Sequence, residues 1–196
     1  EALKVRLLFT VPFCHPSVMY KKIIFSDGGF GYQKDFVNAE DFELWAKLSE
    51  KYKFGIVPEV LLKYRYVSTS VSRISDRYNI DERRHILSSI YNRYLVKLDI
   101  SNSLEDDELH FNLTTSERIK NTELNLFDVV TYLTKICDKN KEKKAFSPSY
   151  LESFLARKIL VVFFYQIRKG NLSAFLGIFN KLFFRAIIDL LRKRVV

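Results

Sequence analysis

The sequence predicts an α+β fold that is mostly α: a mixed segment with a few strands and one helix, then a helical region. Three observations predict it. Only 6 Gly and 4 Pro occur in 196 residues, so turns are few and helices carry most of the chain. Two runs, "SVMYKKIIF" (17–25) and "KFGIVPEVLLKYRYV" (53–67), are rich in β-branched and aromatic residues, as strands are. After Ser72 the apolar residues recur with a 3.6-residue period. The expected division is residues 1–75, mixed, and residues 76–196, helical.

The elements follow in order. "ALKVRLLF" reads as a short helix end running into the Pro-containing loop "TVPFCHPS". "SVMYKKIIF" reads as a strand, and "SDGGFGYQKDFVNAE", which holds three of the six glycines, as a loop. "AEDFELWAKLSEKY" sets Phe42, Trp45, Leu48 and Tyr52 at helical spacing, with Asn38 available as a cap. Pro58 divides the following apolar run into two short strands or extended edges. Residues 77–98 read as an amphipathic helix, on Tyr78, Ile80, Ile86, Leu87, Ile90, Tyr91, Tyr94 and Leu95. "NTELNLFDVVTYLTKICDKN" predicts a helix starting near Asn121 or Thr122, and 149–169 and 173–194 predict two more, divided by the stop signal "KGN". No internal repeat is visible.

Composition bounds the function classes. With 47% hydrophobic residues, including 17 Phe and 11 Tyr, the chain can bury a sizeable core. Cys14 and Cys137 lack metal-ligand spacing and read as reduced intracellular thiols. No signal peptide is visible, and a first residue of Glu rather than Met predicts a fragment of something longer. The net charge of +9 admits nucleic acid, anionic lipid or a phosphorylated ligand as partners. The basic residues are spread, however, and no nucleic-acid motif accompanies them, so no nucleic-acid partner is expected. The run "DKNKEKK" reads as a solvated helix face.

Glu40 and Asp41 stand side by side where the amphipathic helix begins. Carboxylates in a first helical turn interact favourably with the helix dipole, by about 0.3–1 kcal/mol, which alone accounts for them. A general base facing a cleft is the alternative, and local pattern does not choose between the two.

The stretch "RLLFTVPFCHPSVMYKK", then "GGF", then "AEDFELWAKLSEKYKFGIVPEVLLKYR" and "SVS", resembles the second half of a family 2 glycosyltransferase, over residues 1–75. The resemblance implies an inverting enzyme of Rossmann-like, A-type fold, here a partial unit of few strands plus a helix with an incomplete sheet. It implies that Asp41 is the catalytic base, taking the proton of an acceptor hydroxyl as that oxygen attacks the anomeric carbon, while Glu40 orients neighbouring groups or the acceptor. It draws His15 towards the acceptor side, although a lone His is more often structural. Trp45 reads as core packing or as an acceptor-stacking ring. Arg65 reads as a partner of the departing diphosphate or as a surface ion pair.

Two departures stand beside the match. Relatives often carry His two residues after the Arg; here that residue is Val67. The N-terminal nucleotide-binding half, with the Asp-x-Asp motif that holds a divalent metal (Mg or Mn) in such enzymes, is not in this chain, so the chain alone is expected to be inactive. The implied partners are a nucleotide-sugar donor and a glycan or lipid-linked acceptor in polysaccharide synthesis. The alternative reading is a non-enzymatic basic helical module that binds membrane or a protein.

"LSAFLGIFNKLFFRAIIDLLRKRVV" has a wide apolar face and a polar stripe of Lys181, Arg185, Asp189 and Arg192. Those charges exclude a span of about 20 apolar residues, so no transmembrane helix is expected. Helical core and interfacial membrane contact both fit, the latter on the inner face of the cell membrane of a cytoplasmic protein.

Overall fold

The computed structural model describes residues 1–26, 28–65, 67, 70, 74, 78–171 and 181–193, with the backbone alone for 186 and 189–193. Among these residues every regular element is helical. α1 spans Ala2–Arg6, a 3-10 turn His15–Ser17, α2 Ile23–Ser26 and α3 Glu40–Lys51. Then come α4 Ile80–Lys97, α5 Leu104–Asn112, α6 Ser116–Asn121, α7 Leu126–Lys143, α8 Pro148–Arg168 and α9 Lys181–Lys193.

The expected α+β class is therefore corrected to all-α, and the partial A-type unit with its incomplete sheet is absent among the described residues. Within "SVMYKKIIF", Ile23–Ser26 are helical, with amides of Ile24 and Phe25 bonded to the carbonyls of Lys21 and Lys22. Residues 53–65 of the second run are irregular; its Tyr66 lies outside the described residues. Ile56, Val57, Val60, Leu61 and Tyr64 are exposed, Val60 by 95%. A strand persists only when a neighbour completes its ladder, and β-branched composition expresses a fit to a pleated, half-buried surface. Neither condition is met here.

The helices start and stop where local chemistry dictates. Ser103, Thr115 and Asn125 each accept a first-turn amide, from Asp106, Arg118 and Phe127. The α7 helix thus starts at Leu126, because Asn121 instead ends α6. Sequence periodicity predicts neither α5 nor α6, since both are short. Pro148 opens α8, and Gly170, at φ +78°, follows its end, as the "KGN" signal implied. Asn140 grips the turn between α7 and α8: its side chain accepts from Phe146 N at 2.8 Å and donates to Phe146 O at 3.0 Å.

α8 is the central post, packed against α1, α6, α7 and α9, while α4 lies against α3 and α5. One apolar cluster runs across the expected boundary near residue 75, from Leu7, Phe9 and Trp45 to Tyr91, Leu133 and Ile159. His110 sits within it, fully buried between Phe9 (stacked at 4.2 Å) and Tyr91 (4.1 Å). Because the Leu8 carbonyl accepts, His110 Nε2 donates to it at 2.9 Å, and Nδ1 takes a 2.7 Å bond from the Tyr132 hydroxyl. Both ring nitrogens are thereby satisfied, one across 102 residues of chain and the other across 22.

No helix among the described residues is long and apolar enough to cross a membrane. In α9, Leu182 and Phe183 are buried, Phe183 edge-on to Phe163 of α8 at 5.1 Å, whereas Phe184 and Ile188 are exposed. Of the expected apolar face, Phe175, Ile178 and Phe179 lie outside the described residues.

Candidate active site

The acid pair opens α3. Ala39, not Asn38, occupies the cap position, without a side-chain hydrogen bond; Asn38 instead takes the left-handed region at φ +61°. The Asn38 carbonyl accepts a bond from Arg83 of α4 at 2.7 Å, which anchors the approach to the helix from outside. Three acids crowd the first turn and meet three environments. Glu40 is exposed, Asp41 half-buried, and Glu43 completely buried.

Asp41 Oδ1 accepts from the Phe42 amide at 2.7 Å, so the carboxylate satisfies one of the four amides that a helix start leaves free. Glu43 Oε1 lies 2.6 Å from Lys47 Nζ and 3.1 Å from an Arg93 guanidinium nitrogen. Neither contact has hydrogen-bond geometry, so charge rather than directed bonding holds this carboxylate. The Glu43–Arg93 pair ties α3 to α4.

Aromatic rings gather around Trp45, at the next turn of α3. Trp45, one turn after Asp41 and 1% exposed, meets Phe13 at 5.9 Å, His15 at 6.0 Å and Tyr20 at 6.5 Å. Its buried Nε1 has no hydrogen-bond partner among the described residues. His15 is exposed and edge-on to Tyr32 at 5.8 Å. The Tyr32 phenol is held above its usual range, first by burial, then by the neighbouring Tyr20, and then by the negative fields of Asp41 and Glu40.

Of the residues singled out in the sequence, Glu40, Asp41 and Trp45 share the first two turns of α3, and His15 meets Trp45 but neither carboxylate among the described residues. Arg65 does not join them by any contact; it is exposed in the coil after α3 and has no partner among the described residues. Tyr20, Tyr32, Glu43, Arg83 and Arg93 were missed. The two tyrosines carried one available signal, aromatic residues flanking a Gly-rich loop. The arginines carried none, because Arg83 meets Asn38 across 45 residues.

The donor set does not fit a divalent cation. Two adjacent carboxylates alone offer too few ligands, and no three His, Cys, Asp or Glu side chains converge among the described residues. Two surface clefts, of about 610 and 650 Å³, lie elsewhere. The first is lined by Lys4, Lys141 and Lys144 among others, the second by Asp106, Glu108 and Lys135 among others. The candidate site rests on side-chain chemistry, and neither cleft includes any part of it.

Comparison with protein-family models, with curated proteins and with solved structures finds no match for this chain.

Proposed function

We propose that the chain carries the acceptor side of an inverting, nucleotide-sugar-dependent glycosyltransferase, with Asp41 as general base. One observation supports the reading: Asp41 stands at the second residue of α3, one turn before Trp45, whose ring centroid lies 6.0 Å from that of His15, the residue that the sequence resemblance draws to the acceptor side. The reading does not rest on fold, since no sheet is present among the described residues.

The chemistry is a displacement at the anomeric carbon. The acceptor oxygen forms its bond to that carbon as the bond to the nucleotide diphosphate breaks on the opposite face. The hydroxyl proton passes to a carboxylate oxygen of Asp41, and the configuration inverts. Glu40, exposed beside it, accepts a hydrogen bond from a second acceptor hydroxyl. Arg65 is the group proposed to meet the leaving diphosphate, for which a guanidinium has matching geometry. A divalent metal, expected in such enzymes from a motif outside this chain, enters no step assigned to these residues.

Residues 1–75 are proposed as the acceptor-side part and residues 76–196 as its helical support. Nucleotide sugars are made in the cytoplasm, so the proposed location is cytoplasmic, peripheral to the inner face of the membrane where lipid-linked acceptors reside. The test is transfer from labelled nucleotide sugars by the full-length gene product. Asp41→Asn should lower transfer by about 10²–10⁴-fold and leave donor binding intact, because the lost group acts on the acceptor. Wild-type transfer in that variant would remove Asp41 from the mechanism.

A further inference from the structure

Tyr20 and Tyr32 flank α2 on either side, one before Ile23 and one after Ser26. They are not part of the proton transfer just described. Phe25 backs both rings, at 4.6 Å for Tyr20 and 6.1 Å for Tyr32, yet 46% of Tyr20 and 44% of Tyr32 stay open to solvent. Tyr20 leans on Trp45 and Tyr32 on His15, so both belong to the ring cluster at α3. Tyr32 also lies within the electric field of Asp41 and Glu40.

Half-open rings clustered at Trp45, one turn along α3 from two carboxylates, make a surface of mixed chemistry. An apolar ligand would leave the carboxylates without use, and a phosphorylated one would be repelled by them. A neutral pyranoside satisfies both halves: its C–H face packs on aromatic rings, and its hydroxyls donate to carboxylates and exchange hydrogen bonds with phenols. Tyrosine suits this role because it offers a flat apolar body and a polar tip at low conformational cost.

We infer that Tyr20 and Tyr32 form a stacking platform for a neutral pyranoside, which serves as the acceptor and directs a hydroxyl towards Asp41. The inference deepens the proposed function and rests on it for the word acceptor; the binding itself does not.

The experiment is saturation-transfer NMR on the chain with methyl β-D-glucopyranoside, methyl α-D-mannopyranoside and lactose, without any donor. Saturation of the aromatic protons should reach the ring C–H protons of at least one of these glycosides. Tyr20→Leu and Tyr32→Leu should each weaken its binding at least tenfold, while Tyr20→Phe and Tyr32→Phe should stay within about threefold. Both rings are half open, so the leucine variants should keep the helical circular dichroism; if Tyr32→Leu loses it, Tyr20→Leu decides. Absence of transfer to every glycoside, or leucine variants that bind as wild type does, would overturn the platform. Kinetics of the full-length gene product separate this from the reading beneath it. A dead Asp41→Asn with unchanged acceptor KM in the leucine variants sinks the platform alone. Glycoside binding lost in the leucine variants, together with an active Asp41→Asn, keeps the platform and removes the base.

Discussion

Arg83 Nη1 donates to the carbonyl of Asn38 at 2.7 Å, so the first turn of α4 holds the backbone two residues before the acid pair. Asn38 stands at φ +61°, a region that asparagine tolerates and β-branched residues do not. The clamp and the backbone conformation together fix where α3 begins. Arg83→Met is expected to lower kcat of the full-length gene product by about tenfold with little change in donor KM, since a small displacement of a base is costly. Amide exchange across residues 38–42 should quicken in parallel. Asn38→Gly should be tolerated and Asn38→Val should not. Native exchange in both Arg83→Met and Asn38→Val would show that the clamp has no role.

Glu43 gives the second attachment of α3 to α4, and it is a buried charge with two cations. Removing one partner of a fully buried pair costs about 3–5 kcal/mol. Arg93 and Lys47 are each about one-third exposed, and Lys47 remains when Arg93 is lost, so Arg93→Met should cost less, about 2 kcal/mol. Adding Glu43→Gln should recover part of that loss. Urea denaturation of the single and double variants measures the coupling; purely additive effects would mean that the pair contributes nothing.

His110 predicts a pH dependence of stability. Burial pulls its pKa down to about 3, with the Leu8 carbonyl opposing the shift. The unfolded imidazole, near its usual 6.5, binds the proton first as pH falls. Between pH 6.5 and about 3 the unfolded state therefore holds more protons, and the native state loses stability as pH falls through that window. Above pH 6.5 the contribution is complete. The expected loss from this group is about 2–3 kcal/mol at about pH 4.5 relative to about pH 7. Denaturation curves across that range should flatten in His110→Gln, which is less stable at neutral pH. An unchanged slope would assign the dependence to other groups.

The two faces of α9 should behave differently. Phe183→Ala removes a ring packed on Phe163 and should cost about 3 kcal/mol, seen as a lower melting temperature. The double variant Phe184→Ser and Ile188→Ser touches exposed residues and should leave melting unchanged. If the chain sediments with anionic vesicles, this double variant should sediment less, and added salt should weaken the wild type. Equal sedimentation of both proteins would leave Phe184 and Ile188 as ordinary surface.

The candidate site was legible in parts, for identifiable reasons. Asp41 and Trp45 lie four residues apart, and helical periodicity puts such residues on one face without any knowledge of the rest of the chain. His15 could be singled out only through a resemblance, because its neighbours Tyr32 and Trp45 reach it through space. Nothing local distinguishes Glu43 from Glu40; its partner Arg93 on α4 lies fifty residues further along the chain.

The sequence by itself determined that the long helices form and where α8 stops. Those signals are local: a 3.6-residue period in α4, α7 and α8, a proline at the start of α8, and a glycine after its end. Only the tertiary structure decided that the runs at 17–25 and 53–65 do not become strands. A helix closes its hydrogen bonds within one segment, so its sequence carries the decision, whereas a strand closes them with another segment. Val60 and Leu61 therefore have strand composition and no ladder among the described residues, and they stand in solvent. The same distinction governs the site: the helix that carries Asp41 is written in residues 40–51, and the rings, arginines and buried charge around it were brought there by folding.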